Sequence, residues 1–163
     1  MIDSLPRYCL IVLLLLPLPA GCGGPEEGPS EAGKESPAGD SVAARAGDRI
    51  IIQVGGVPVR VRVSQTPQEK ERGLMFTEQL PADEGMLFVF ESQHRPAFWM
   101  KNTPIDLDLA FIDGRGRIVE ICHMEALDEE TIHRSRHPAL YALEVNAGWF
   151  REHGIAVGDE VRF

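Results

Sequence analysis

The sequence predicts a single, mainly β domain of barrel or jelly-roll type with two short helices, preceded by an export signal and a tether. Short runs of β-branched and aromatic residues recur between turn residues, and helical patterns are few. Strands at this spacing, without a regular alternation of strands and helices, favour a small barrel or sandwich over a parallel α/β sheet. The 163 residues leave room for one such domain.

The first 21 residues have the pattern of a signal peptide. Arg7 precedes an apolar run over residues 8–16, and two prolines follow. The run has about half of the roughly 20 residues that a membrane-spanning helix needs. We therefore expect export rather than a permanent transmembrane helix.

Lipid attachment is expected at Cys22. Ala20-Gly21-Cys22 resembles the end of a bacterial lipobox, although proline stands three positions before the cysteine, where leucine is usual. Gly23 after the cysteine implies, by resemblance to lipoprotein sorting rules, the outer membrane facing the periplasm. The alternative is a soluble periplasmic or secreted protein.

The segment 22–47 is predicted to be a disordered tether. It is dominated by Gly, Pro, Glu, Ser and Ala and contains no aromatic residue, so it has too little apolar surface to offset the entropy of ordering. The globular domain is then predicted over residues 48–163.

The domain is predicted to open with a hairpin and a short helix. Residues 49–54 and 57–63 alternate as strands do, and Gly55-Gly56 supplies the positive φ angles of the turn. Thr66 begins a capping box with proline at the first helical position, and Gly73 ends that helix. A second short helix is predicted from Trp149 to His153. The further predicted strands are 85–90, 97–101, 105–112, 117–124, 141–146 and 160–163.

Composition excludes some functions. The chain carries 25 acidic and 16 basic residues, a net charge of −9, and shows no basic stripe, so we expect no nucleic-acid partner.

Cys122 would have no intramolecular disulfide partner once Cys9 leaves with the signal and Cys22 is lipidated. It is interpreted as a small buried hydrophobic residue.

Four segments together resemble the domain of unknown function 192 family. They are residues 72–75, 84–88, 98–103 and 143–148, in sequence RGLM, EGMLF, FWMKNT and LEVNAG. The resemblance implies a compact, mostly β domain but no activity, because none is assigned to the family. Asp108 matches a family position, whereas Asp106 is an additional acid here.

The candidate binding residues come from three predicted strands, 97–101, 105–112 and 141–146, and from Asn102 directly after the first of them. Alternation would place Asp106 and Asp108 together on one face of their strand, and Glu144 and Asn146 on one face of theirs. If the strands are neighbours, these acids and amides would converge on one polar floor, which suits a small polar or glycan-like ligand. The full hypothetical site is Trp99, Lys101, Asn102, Asp108, Glu144 and Asn146.

Several alternatives remain open. Asp108 and Lys101 would form a structural pair if the domain were only a module for binding another envelope protein. Paired carboxylates would also serve a hydrolase. No catalytic residue is assigned, since no nucleophile or nucleotide-binding motif supports one.

No metal or cofactor is assigned either. His133 and His137 have helical spacing for metal ligands, but their charged, proline-terminated context favours a solvated loop. The methionines lie in apolar segments, where packing explains them better than binding of cuprous ion.

Replacing Cys22 by Ala should block lipid attachment and leave an uncleaved precursor. Fractionation and mass determination of the exported protein would test this. A processed, water-soluble Cys22→Ala protein identical to the parent would contradict it.

Overall fold

The computed structural model describes residues 43–163. Nine strands and two helices occupy this region, and none of its helices has the length and apolarity to cross a membrane. The strands are β1 (Arg49–Val54), β2 (Val57–Ser64), β3 (Glu84–His94), β4 (Ala97–Phe98), β5 (Leu107–Ile112), β6 (Ile118–Met124), β7 (His133–Arg134), β8 (Ala139–Asn146) and β9 (Val161–Arg162). The helices are α1 (Pro67–Arg72) and α2 (Trp149–Glu152).

Seven of these strands form one curled sheet in the order β6-β5-β8-β3-β2-β1-β9, and β4 pairs separately with β7. Neighbours in the large sheet are antiparallel except β2 and β3, which are parallel. The sheet is a half-barrel, and its edges approach at a bridge between Arg117 and Glu160. The mainly β fold class with two short helices is therefore confirmed.

The predicted hairpin and first helix are present. β1 and β2 pair from Arg49↔Arg62 to Val54↔Val57 around Gly55 and Gly56, whose φ angles are 57° and 86°. Thr66 and Glu69 form both hydrogen bonds of the capping box, and Gly73 caps the other end of α1. Local side-chain chemistry is sufficient to specify these elements.

The sheet has an apolar cluster on each face. The inner cluster includes Ile118 and Val161 from the two edge strands, so the sheet curls around it, and Trp149 and Phe150 of α2 pack there. The outer cluster covers β3, β8, β5 and β6, and the segments around Leu74 and Met100 pack over it. Both faces of the central strands are consequently buried.

Three strand predictions need correction. β5 is buried at all six positions, because both faces are covered, so its even-numbered residues do not face solvent as alternation predicted. β4 ends at Phe98 instead of continuing to Lys101. The segment predicted as a solvated loop contains β7, whose His133 pairs with Phe98.

The predicted signal peptide, Cys22 and tether residues 22–42 lie outside the described residues. Residues 44 and 47, which belong to the predicted tether, contact the domain. Gly47 donates its backbone N–H to the Val63 carbonyl (2.8 Å), and the Gln65 side chain donates to the Ala44 carbonyl (2.7 Å). These contacts precede the predicted domain boundary at Asp48.

A truncated chain that begins at Asp48 should be less stable than one that begins at Ala43. It lacks the hydrogen bonds made by Ala44 and Gly47, each worth roughly 0.5–1.5 kcal/mol. We expect a loss of about 1–2 kcal/mol in the free energy of unfolding, measured by urea denaturation. Equal stability of the two chains would show that residues 43–47 contribute nothing.

Candidate functional site

Glu144 occupies an unusual place on the outer face of the sheet. It lies in β8 between Met86 of β3 and Leu109 of β5, its directly paired neighbours. The residue is only 5% exposed, and its Oε2 atom is buried without a hydrogen-bond partner. Buried polar atoms are nearly always paired, so an unpaired carboxyl oxygen needs a physical or functional explanation.

The end of α1 closes over this carboxyl group. Gly73 has a φ of 48°, and a Cβ atom there would stand 4.0 Å from Glu144 Oε2 and 3.6 Å from the Phe88 ring. Arg62 donates from Nη2 to the Gly73 carbonyl at 3.1 Å, which fixes this turn to the sheet. The absence of a side chain at Gly73 thus leaves space beside the acid.

A cleft of about 260 Å³ opens in front of Glu144. Aromatic rings form much of its wall, and Phe98 packs edge-on against Phe88 with ring centroids 4.9 Å apart. Trp99, 42% exposed, stands at the rim. The lining residues come from the end of α1, from β3, β4 and β8, and from the loop that follows β4: Lys70, Glu71, Arg72, Gly73, Leu74, Met75, Phe88, Phe90, Ala97, Phe98, Trp99, Thr103 and Glu144.

Burial controls the protonation of Glu144. Desolvation raises the pKa of its carboxyl group from 4.5 to about 8, while the positive charge of Arg62 acts in the opposite direction. At neutral pH the group is therefore mostly a neutral carboxylic acid. In that form it donates one hydrogen bond as well as accepting them.

Two of the six predicted binding residues, Trp99 and Glu144, line the cleft. Lys101 is close by, with its Nζ atom 5.2 Å from the centroid of the Trp99 ring, a cation–π distance. Asn102 has a structural role in a turn. Its φ is 55°, and its backbone carbonyl accepts the Phe76 N–H at 2.7 Å. Asn146 donates from Nδ2 to the Leu80 and Pro81 carbonyls at 3.0 Å.

The predicted convergence of Asp108 with Glu144 is wrong. In the register of β5 and β8, Leu109 pairs with Glu144 and Asp108 pairs with Val145, so the two acids point to opposite faces. A one-residue difference in register separates the observed arrangement from the predicted one.

Asp108 instead stabilises the turn before α2. Its Oδ2 accepts the Gly148 N–H at 2.8 Å, and its Oδ1 lies 3.1 Å from His123 Nδ1. It therefore forms neither the predicted pair with Lys101 nor a carboxylate pair with Glu144. Asp106 precedes β5 and accepts the Ala126 N–H at 2.7 Å.

Within residues 43–163, no group of three or more His, Cys, Asp and Glu side chains is arranged to hold a metal ion. His133 lies in β7 and His137 is exposed. Burial and the neighbouring acids Glu120 and Asp108 raise the pKa of the Cys122 thiol to about 11, which keeps it protonated near neutrality. Cys122 is only partly buried, and it packs against the outer apolar cluster.

Sequence reasoning missed most of the cleft wall, including Gly73, Phe88, Phe90 and Phe98. A signal for these residues was nevertheless present. Each of the four segments that carry the family resemblance contributes to the cleft: residues 72–75, 84–88, 98–103 and 143–148. Those segments are far apart along the chain, and only folding brings them around Glu144.

The family model for domain of unknown function 192, described as uncharacterized ACR, matches residues 50–163. The chain belongs to this family. A solved protein of unknown function from Novosphingobium aromaticivorans DSM 12444 is 31% identical with a TM-score of 0.68, and the match covers 86% of this chain and 100% of that chain. A solved Sinorhizobium meliloti 1021 protein, described as a candidate transcription regulator, is 34% identical with a TM-score of 0.67. That match covers 73% of this chain and 96% of that chain. No curated protein matches.

Membership of the domain of unknown function 192 family accounts for the fold without supplying an activity. The matches cover nearly the whole length of both similar structures. Any functional conclusion must come from the chemistry of the cleft itself.

Replacing Glu144 by Gln should stabilise the protein, and increasingly so as pH rises. The folded carboxyl has a pKa of about 8 against 4.5 for its ordinary value, so between these pH values the folded protein keeps a proton that the unfolded chain has lost. The stability of the parent therefore falls from pH 4.5 to 8 and then levels off. Each unit of pKa difference corresponds to about 1.4 kcal/mol, so the expected change is a few kcal/mol.

Urea denaturation of parent and Glu144→Gln at pH 5, 6.5 and 8 measures this effect. Glu125→Gln, a change at an exposed glutamate, is the matched control and should show no such trend. A stability difference between Glu144→Gln and the parent that is the same at pH 5 and pH 8 would contradict the raised pKa.

Proposed function

We propose that this protein is a lipid-anchored envelope protein whose domain binds a small, uncharged polar ligand of glycan-like type in the Glu144 cleft without catalysis. The observation that carries the proposal is the unpaired, buried Oε2 atom of Glu144 at the base of an aromatic-lined cleft. A ligand that pairs with this atom would satisfy a polar group that the protein leaves without a partner.

The protonated acid and the aromatic rings favour an uncharged ligand with an apolar face, and the charged residues Lys70, Glu71 and Arg72 also line the cleft. A protonated Glu144 donates to a hydroxyl or carbonyl oxygen and does not attract a cation. Phe90, Phe98 and Trp99 line the cleft, with Lys70 over the Phe90 ring and Lys101 over the Trp99 ring. The C–H face of a sugar ring packs well against aromatic rings that remain accessible. A volume of about 260 Å³ is near the lower limit for ligand sites, which favours a single ring over a longer oligomer.

The anchored location rests on the sequence. Ala20-Gly21-Cys22 and the composition of residues 22–47 support lipid attachment followed by a tether. A domain on such a tether would stay near the membrane, where it has the greatest access to envelope components.

An envelope protein-interaction module is a second candidate function. Phe76 and Leu127 are 69% and 58% exposed, and both have positive φ angles of 62° and 59°. Bulky residues rarely adopt this conformation, which costs free energy and is found mainly at functional positions. These two residues therefore mark a surface that another protein would contact.

A carboxylate-dependent hydrolase has less support. The two-acid mechanism needs two carboxyl groups facing the same substrate. Asp108 and Glu144 lie on opposite faces of the sheet, so that pair does not serve such a mechanism.

Two substitutions at one position would test the binding proposal. Glu144→Leu removes every hydrogen-bonding group, whereas Glu144→Gln keeps a neutral donor. In saturation-transfer NMR with a panel of monosaccharides and their N-acetylated forms, Glu144→Leu should weaken binding about tenfold or more, which is about 1.4 kcal/mol. Glu144→Gln should retain binding, because its amide still donates.

The pH dependence adds a second criterion. Binding to the parent should weaken as pH rises through about 8, where the carboxyl group loses its proton, and Glu144→Gln should lack this change. Trp99→Ala should reduce binding, while Phe76→Ala, a change at an exposed aromatic outside the cleft, should not. If no sugar binds, and Phe76→Ala and Leu127→Ala abolish capture of an envelope protein, the interaction function replaces the proposal.

A further inference from the structure

A second feature lies on the part of the outer face that the covering segments leave open. Three arginines project there from the first hairpin: Arg49 of β1, and Arg60 and Arg62 of β2. All three are exposed and line a cleft of about 370 Å³ between the hairpin and the segment around Leu80 and Pro81. The cluster is notable in a chain whose net charge is −9.

The arrangement of these arginines is unfavourable for the stability of the folded sheet. Arg49 and Arg62 are directly opposite each other in the β1–β2 register, and Arg60 is two residues away on the same face. Like charges directly opposite across two strands destabilise a sheet. Departures from local stability rules of this kind concentrate at functional sites.

The acidic residues nearby neutralise only part of this charge. Arg60 forms one ion pair, with Glu84 at 3.6 Å. Arg62 donates to the Gly73 carbonyl and to the Met86 sulfur at 3.4 Å, neither of which carries a charge. Arg49 makes no side-chain hydrogen bond or ion pair with any described residue. The charge of Arg62 also helps to lower the pKa of the Glu69 carboxyl group, so Arg62 has one acidic neighbour. Neither Arg49 nor Arg62 forms an ion pair with a described carboxylate.

We propose that Arg49, Arg60 and Arg62 form a binding site for a small phosphate-bearing anion, distinct from the Glu144 cleft. Guanidinium groups bind phosphate oxygens through paired, charge-assisted hydrogen bonds, and a doubly charged anion placed between them would relieve their mutual repulsion. Three guanidinium groups match the several oxygens of a phosphate better than the two of a carboxylate.

The ligand would be either a soluble phosphate ester or a phospholipid headgroup. Both present the same group to the arginines. A headgroup would bring this face of the domain against the membrane surface, whereas a soluble ester would leave the domain free to move on its tether. Both ligands would bind through the same phosphate group, so two separate experiments are needed to distinguish them.

The first arm is an NMR titration of the protein with inorganic phosphate, and then with glycerol 3-phosphate, at constant ionic strength. We expect saturable changes at the amides of β1 and β2. Arg49→Gln and Arg60→Gln should each weaken binding by about threefold to tenfold, and Glu84→Gln should strengthen it because Arg60 is released. Arg115→Gln is the matched control, since Arg115 is an exposed arginine in a turn away from this cleft.

The second arm is co-sedimentation with vesicles of phosphatidylcholine alone or mixed with phosphatidylglycerol. Binding to the mixed vesicles that Arg49→Gln reduces, and that Arg115→Gln does not, would identify the headgroup as the source. Phosphate binding without vesicle binding would identify a soluble ester. Absence of both, or equal weakening by Arg115→Gln, would overturn the proposal.

The outcome is separable from that of the glycan proposal. Glu144→Leu should leave phosphate binding unchanged, and Arg49→Gln should leave sugar binding unchanged. Loss of both activities in a single variant would indicate unfolding, which urea denaturation of that variant would detect independently.

Discussion

The antiparallel register of β8 between β3 and β5 is the constraint on which the rest of the structure depends. It places Met86, Glu144 and Leu109 in one row across the outer face, and Val145 beside Asp108 on the inner face. Since side chains alternate along a strand, a shift of one residue would exchange these sets and put the apolar residues of β8 on the wrong side. Burial of both faces therefore fixes the register, and the register fixes where a carboxyl group is buried.

Burying that group has a cost that other contacts in the fold must offset. The Oε2 atom of Glu144 loses its hydrogen bonds to water and gains none from the protein. Around it, the Phe88–Phe98 contact and the turn held by Arg62 and Gly73 contribute the packing that closes the site. In the proposed function, a ligand supplies the hydrogen bond that this oxygen lacks.

The same row of residues links two chemically different surfaces. Followed across the sheet, it reads Arg49, Arg62, Met86, Glu144 and Leu109. At one end the outer face is uncovered and positively charged, and towards the other end it is covered and apolar. Arg62 lies at the boundary, where it contacts the turn over the cleft and also influences the charge state of Glu144. The two proposed sites are thus neighbours that differ in the charge they favour.

The sequence by itself determined the features that depend on nearby residues: the Gly55-Gly56 hairpin, the capping box at Thr66, most strands and the mainly β class. It also indicated Trp99 and Glu144, because an aromatic residue beside polar residues, and an acid within an apolar run, can be recognised from the order of residues alone. Only the tertiary structure decided which residues meet. The pairing of Leu109 with Glu144 separated Asp108 from the cleft, the pairing of Phe98 with His133 created β7, and the curl of the sheet brought four distant segments around one carboxyl group. Register and sheet order arise from contacts between residues far apart in the chain, so local periodicity does not specify them.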